Sequence, residues 1–232
     1  MTPAVLVTGT GTGIGKTHLA EALLLELRRQ HTMVGWKPVE SGVSAGSMGD
    51  DQARLTAAST PHVRVPGAAH VALPSGVSPH LAAERAKSVL PWDIWMHFAR
   101  SFVDGDTGLV VELAGGLFSP LTLSEDNADL AGRLLSELPR AKLLLCAPDR
   151  LGVLSEVRSA LLAATQVDLR VDAIVLMAPS EPDASTGTNR RELERTFPRR
   201  VPPPTVFGPM PRMPVSELSE HPLLLELARF SS

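Results

Sequence analysis

Val5-Leu6-Val7-Thr8-Gly9-Thr10-Gly11-Thr12-Gly13-Ile14-Gly15-Lys16-Thr17 is the stretch that decides the fold. A β-branched apolar run enters a glycine-rich loop, and Gly-Lys-Thr then opens a helical pattern over 16–30. Glycines let successive backbone N–H groups curl inward around phosphate oxygens, and the N-terminus of the following helix adds its positive dipole end. In a loop of this kind the Lys16 ammonium reaches the β- and γ-phosphates and the Thr17 hydroxyl ligates Mg²⁺. The spacing departs from the plain pattern: Thr10 stands five residues before Gly15, and Gly9 is one position early.

Beyond the loop, short apolar runs alternate with segments of helical periodicity. Strands are expected over 4–8, 32–37, 108–112, 141–147, 171–177 and 204–207. Helices are expected over 53–58, 79–87, 92–102, 128–137, 153–164 and 189–197, with a closing helix over 215–230. Strands that are apolar on both faces and separated by helices indicate a buried, mostly parallel sheet with crossover helices. The fold class is therefore α/β: a single-domain P-loop fold over 1–232, its mostly parallel central sheet flanked by helices. The stretches 41–51 and 59–78 read as loops at the strand ends, where such sheets bind ligands.

A chain of 232 residues with 44% hydrophobic and 20% charged residues suits one domain with a large core. The net charge of −3 points to neither a nucleic-acid nor a membrane-surface partner. The pairs Arg190–Arg191 and Arg199–Arg200 read as solvated surface. Cys146 is the only cysteine, lies in an apolar run and reads as a core residue. No leader pattern and no run long enough to span a bilayer is present, so a cytoplasmic protein is expected.

Three further positions carry chemistry. Lys37 ends the second apolar run in Trp36-Lys37-Pro38-Val39-Glu40-Ser41-Gly42; it reads equally as a second cation beside the γ-phosphate and as an exposed strand end. Glu112 ends Leu109-Val110-Val111-Glu112 before Leu113-Ala114-Gly115-Gly116, a good place for a carboxylate that holds Mg²⁺. Asp51 heads a helix and reads either as its N-cap or as a metal ligand.

Together, Gly9–Thr17, Lys37–Gly42, Asp51, Ser78-Pro79-His80, Glu112–Gly116 and Leu151-Gly152 resemble the dethiobiotin synthetase family, in order and interval, from Val5 to about Leu161. The resemblance implies an ATP- and Mg²⁺-dependent cyclo-ligase that uses 7,8-diaminopelargonate and CO₂ or bicarbonate, and works as a homodimer. By that likeness Lys16, Lys37 and Thr12 are catalytic, Ser41 binds the diamine, and Thr17, Asp51 and Glu112 carry Mg²⁺. The nucleotide falls to Gly13, Ile14, Gly15, Lys16, Thr17, His18, Asp51, Glu112, Leu113, Ala114, Gly115, Ala178, Pro179, Met210, Pro211 and Arg212.

The chain departs from the family pattern at four places. Leu113 replaces a glycine after the metal-binding Glu, and its side chain could crowd the nucleotide. Ala178-Pro179 replaces the asparagine that reads adenine, which predicts loose ATP specificity. Ser155-Glu156 replaces Asn-His where the substrate carboxylate is received, and a Glu repels an anion there unless it points away. Gly208-Pro209-Met210-Pro211 lacks the usual acidic residue. Two other readings compete. A partition-type switch ATPase would carry an extra lysine early in the loop, whereas positions 10–12 are Thr-Gly-Thr. A related ligase with a changed substrate is the second.

Overall fold

The computed structural model describes residues 2–44, 46–103, 105–197, 199 and 202–232. Arg200, and Ala45 within the expected 41–51 loop, lie outside the described residues.

Six strands form one wholly parallel sheet. They are β1 (Ala4–Gly9), β2 (Thr32–Trp36), β5 (Thr107–Glu112), β6 (Lys142–Pro148), β7 (Ala173–Met177) and β8 (Thr205–Met210), in the spatial order β2-β5-β1-β6-β7-β8. Register pairs Val5 with Val110 on one side and with Lys142 on the other. Neighbouring residues of each central strand feed opposite cores. Leu6, Leu109, Val111, Leu143 and Leu145 face one cluster, while Val5, Val7, Val110, Leu144 and Cys146 face the other. That alternation is why these strands read as continuous apolar runs.

Helices cover both faces. On one lie α1 (Lys16–Leu27), α2 (Asp50–Ala58), α8 (Val215–Leu218) and α9 (Pro222–Ser231), through Leu19, Leu23, Leu55, Leu218, Leu224 and Leu227. On the other lie α3 (Pro79–Ala86), α4 (Trp92–Arg100), α5 (Asn127–Glu137), α6 (Val153–Gln166) and α7 (Asn189–Thr196), through Ala82, Trp95, Leu130, Leu134, Val157, Leu161 and Leu193. Among the described residues no helix is long and apolar enough to cross a membrane.

Two expectations need correcting. The closing helix over 215–230 is two helices. Pro222 has no N–H to continue α8, so the chain extends at His221 (φ −70°, ψ 136°) and restarts with Pro222 in the first turn of α9. The loops also hold structure: β3 (Val39–Ser41) and β4 (Val71–Leu73) form a small parallel sheet of their own, and a 3₁₀ turn spans Gly67–Ala69. Runs of three residues carry no readable periodicity. Elsewhere the elements follow the sequence pattern with ends shifted by a few residues, as in α2, which begins at Asp50 rather than Ala53.

Candidate active site

The candidate residues gather at the carboxyl ends of β1, β2 and β5. β1 delivers Gly9 into the loop, and Gly15, at φ 95°, turns the chain into α1. That angle lies in the left-handed region that glycine tolerates best. The turn after β5 presses on the loop, where Leu117 N–H donates to Gly9 O at 2.9 Å. A Cβ on Gly116 would stand 3.3 Å from both Gly9 O and Thr10 O, so this approach favours a glycine.

Lys37, Asp51, Glu112 and Thr17 meet from four separate segments. Lys37 Nζ lies 2.6 Å from Glu112 Oε1 and 2.5 Å from Asp51 Oδ2, and Thr17 Oγ1 donates to Glu112 Oε1 at 2.9 Å. Lys37 is 4% exposed and Glu112 1%. Lys37 is therefore no exposed strand end. Two ions this deeply buried are tolerated only because they meet each other. Burial pulls the Lys37 ammonium down, but the Glu112 and Asp51 carboxylates outweigh it and hold it above the ordinary lysine range. Burial pushes the Glu112 carboxyl up, and Lys37 offsets only part of this. Burial also acts upward on Asp51, but the charge and hydrogen bond of Lys37 carry it below its usual value.

Asp51 is not the N-cap of α2. That position belongs to Gly49, and the cap comes from across the fold: Glu40 Oε1 accepts from Asp51 N–H at 3.0 Å and Oε2 from Gln52 N–H at 3.1 Å. A Cβ on Gly49 would stand 2.5 Å from Glu40 Oε2. Gln52 locks β2 in turn, accepting from Lys37 N–H at 2.7 Å and donating to Gly35 O at 3.2 Å. His70 bridges Lys37 O and Met48 O, each at 2.6 Å. Asn127 holds the turn after Glu112, donating to Ala114 O at 2.5 Å and to Gly116 O at 2.8 Å. The sequence reading missed Glu40, Gln52, His70 and Asn127. Of these, Glu40 carried a signal, a carboxylate beside the apolar end of Trp36-Lys37-Pro38-Val39.

The remaining candidates are placed as follows. Lys16 is 5% exposed, lowered by burial, and donates to Gly11 O at 2.8 Å. Thr12 lies by the Gly115 turn, and Ile14 packs beneath the loop. Gly13 has φ 72° and open space around it. The Ser41 hydroxyl is buried without a protein partner. Burial and Arg54 hold the His18 imidazole below its usual range, and its ring bonds to the Met213 backbone. Leu113 does not crowd the loop: its side chain is wholly buried in the core with Leu6 and Leu117, leaving only its backbone to a nucleotide. Among the residues expected near the base, Ala178 N–H is spent on Met210 O at 2.9 Å, Pro179 and Pro211 have no N–H, and Arg212 is exposed. Cys146 is buried and its thiol pushed up to about 12, so it is inert.

Glu156 reaches back over the N-terminus of α6, where its charge is met by Arg150. Its Oε2 accepts from Thr10 Oγ1 at 3.2 Å and its Oε1 pairs with Arg150 at 2.9 Å. Behind it the 183–188 segment is stapled to the strand ends. The Leu151 and Ser185 N–H groups hold the Asp183 carboxyl down to about 2, and the buried Asp149 accepts from Gly187 N–H and Asn189.

A glycine-rich loop between a parallel strand and a helix, with a lysine in its cradle and carboxylates at the neighbouring strand ends, defines a P-loop nucleotide-dependent protein. A family model described as AAA domain matches residues 3–217. An ATP-dependent dethiobiotin synthetase BioD of a Caulobacter species is 38% identical over 178 residues, 75% of each chain. The enzyme of the same name from Xanthomonas oryzae pv. oryzae is 40% identical over 161 residues, 67% of this chain and 69% of that one. The chain belongs to the dethiobiotin synthetase family. Among solved structures, a ParA family ATPase from Chlorobium tepidum superposes with a TM-score of 0.49 at 13% identity, covering 98% of this chain and 92% of that one.

Proposed function

We infer that this chain is an ATP-dependent ligase that closes the ureido ring of dethiobiotin from 7,8-diaminopelargonate and CO₂, a step of biotin biosynthesis. The observation that carries the reading is the buried Lys37 ammonium at the edge of the phosphate loop, held by Asp51 and Glu112. One amine of the substrate takes up CO₂ as a carbamate. The carbamate oxygen attacks the γ-phosphorus of ATP and ADP leaves. The second amine then attacks the carbonyl carbon, expels phosphate and closes the ring. The phosphoryl transfer brings two anions together, carbamate and triphosphate, so the work is positioning and neutralisation of charge. Lys16 exchanges Gly11 O for a phosphate oxygen. Lys37 faces the carbamate, Thr12 and the loop N–H groups surround the transferring phosphoryl, and the unpaired Ser41 hydroxyl is free for the diamine.

Thr17, Asp51 and Glu112 suit a magnesium ion, because Glu112 Oε2 is buried with no hydrogen-bond partner and the set is all oxygen. Bound there, magnesium would neutralise charge on the β- and γ-phosphates. Gly13, Gly15 and Ala114–Gly115 offer backbone to the phosphates, and His18, Pro211 and Arg212 flank the base. A homodimer and a cytoplasmic site of action belong to the same reading, supported by the family and, for the dimer, by Leu151, 75% exposed at the start of α6.

The test is phosphate release from Mg·ATP with diamine and bicarbonate, each omitted in turn, beside assay of dethiobiotin. Release should require both. CTP and GTP should support it within about a hundredfold of ATP, near 2.7 kcal/mol, since no side-chain amide reads the base. Release indifferent to the diamine would make the chain a switch ATPase and overturn the assignment.

A further inference from the structure

The phosphate loop has glycine at 9, 11, 13 and 15, so holding it in one shape costs more backbone entropy than holding an ordinary loop. Four contacts fix it: Thr10 N–H to Cys146 O at 2.9 Å, Leu117 N–H to Gly9 O at 2.9 Å, Lys16 to Gly11 O, and the Thr10 hydroxyl to Glu156. The Lys16 contact is given up once Lys16 turns to a phosphate. The Thr10 hydroxyl then remains as the side-chain tether, and its anchor lies 146 residues away on the first turn of α6.

A carboxylate so near a triphosphate is repulsive unless its charge is met. Here it is met. Glu156 Oε1 lies 2.9 Å from Arg150 Nη2, and Arg150 Nη1 donates to Leu151 O at 3.0 Å, which fixes the guanidinium across the turn at Gly152. We propose that Glu156 is a positioning residue of the nucleotide site: it holds the first half of the phosphate loop through Thr10, while Arg150 cancels its charge. The proposal rests on the assignment of this loop to ATP.

Calorimetric titration of Mg·ATP into the whole chain tests it, because this readout needs neither diamine nor turnover. Glu156→Ala and Thr10→Ala should each weaken binding by about three- to tenfold, and the double variant no further, since both break one contact. Glu156→Gln should bind as wild type, because its amide oxygen still accepts from Thr10. At saturating ATP the Glu156→Ala enzyme should keep its kcat and show the loss in KM. Wild-type affinity in Glu156→Ala, multiplying losses in the double variant, or no rescue by glutamine would each overturn the proposal. A chain that follows this pattern but makes no dethiobiotin would overturn the function and leave the tether standing.

Discussion

On the proposed function, Lys37 is the residue on which the chemistry turns. Its ammonium is enclosed between two carboxylates, one of them 1% exposed, at a place where a charge without a task would be costly. Lys37→Gln should leave Mg·ATP binding within about threefold, since the loop and Lys16 carry the triphosphate. It should lower diamine-stimulated phosphate release about a hundredfold or more, because the carbamate and the migrating phosphoryl lose their shared cation. The same change strands Glu112 beside Asp51, so the ligand-free variant should also lose about 3 kcal/mol of stability in urea. Full diamine-stimulated activity would reduce Lys37 to a structural ion. In the sequence Lys37 was ambiguous, because burial at a strand end depends on what the rest of the chain places over it. Lys16 and Thr17 were legible because loop and residues are contiguous. Glu112 was legible from the apolar run it ends.

At the scale of elements, α2 shows what a sequence withholds. Its first turn looks self-capping, with Asp50 and Asp51 in succession, yet its orphan N–H groups are met by Glu40 from β3. That exchange frees Asp51 to face Lys37. Glu40→Ala should cost about 1–2 kcal/mol by thermal or urea unfolding, the usual worth of a helix cap. It should also lower turnover, because Asp51 leaves Lys37 as the first turn frays. A variant that loses stability but keeps full activity would show that Asp51 is held by Lys37 alone. The cap was unreadable because it joins residues through β3, a strand of three residues paired with another as short. The break between α8 and α9, by contrast, was written in Pro222 and passed over in favour of the apolar spacing on either side.

For the whole molecule, the class of fold was plain from the sequence because short apolar runs alternate with helical periodicity, whereas the order β2-β5-β1-β6-β7-β8 depends on pairings that no local pattern shows. The far end of the chain secures it: Leu224, Leu227 and Ala228 of α9 seat against α1 and β8. Leu227→Ala should cost about 2–5 kcal/mol as a core truncation, while Mg·ATP affinity measured well below the melting temperature stays at wild type. A loss of affinity equal to the loss of stability would mean that the loop shares its cooperativity with the terminal helix. The sheet's order also sets a timetable for the newborn protein. The first strand is flanked by residues near 110 and near 142, so the opening run Ala-Val-Leu-Val emerges without either neighbour. At about 5–20 residues per second, roughly 7–28 s of synthesis pass before the second neighbour exists. Through that interval the Ala4–Val7 run and its glycine-rich loop travel unpaired, and whatever shelters nascent strands in the cell must shelter these.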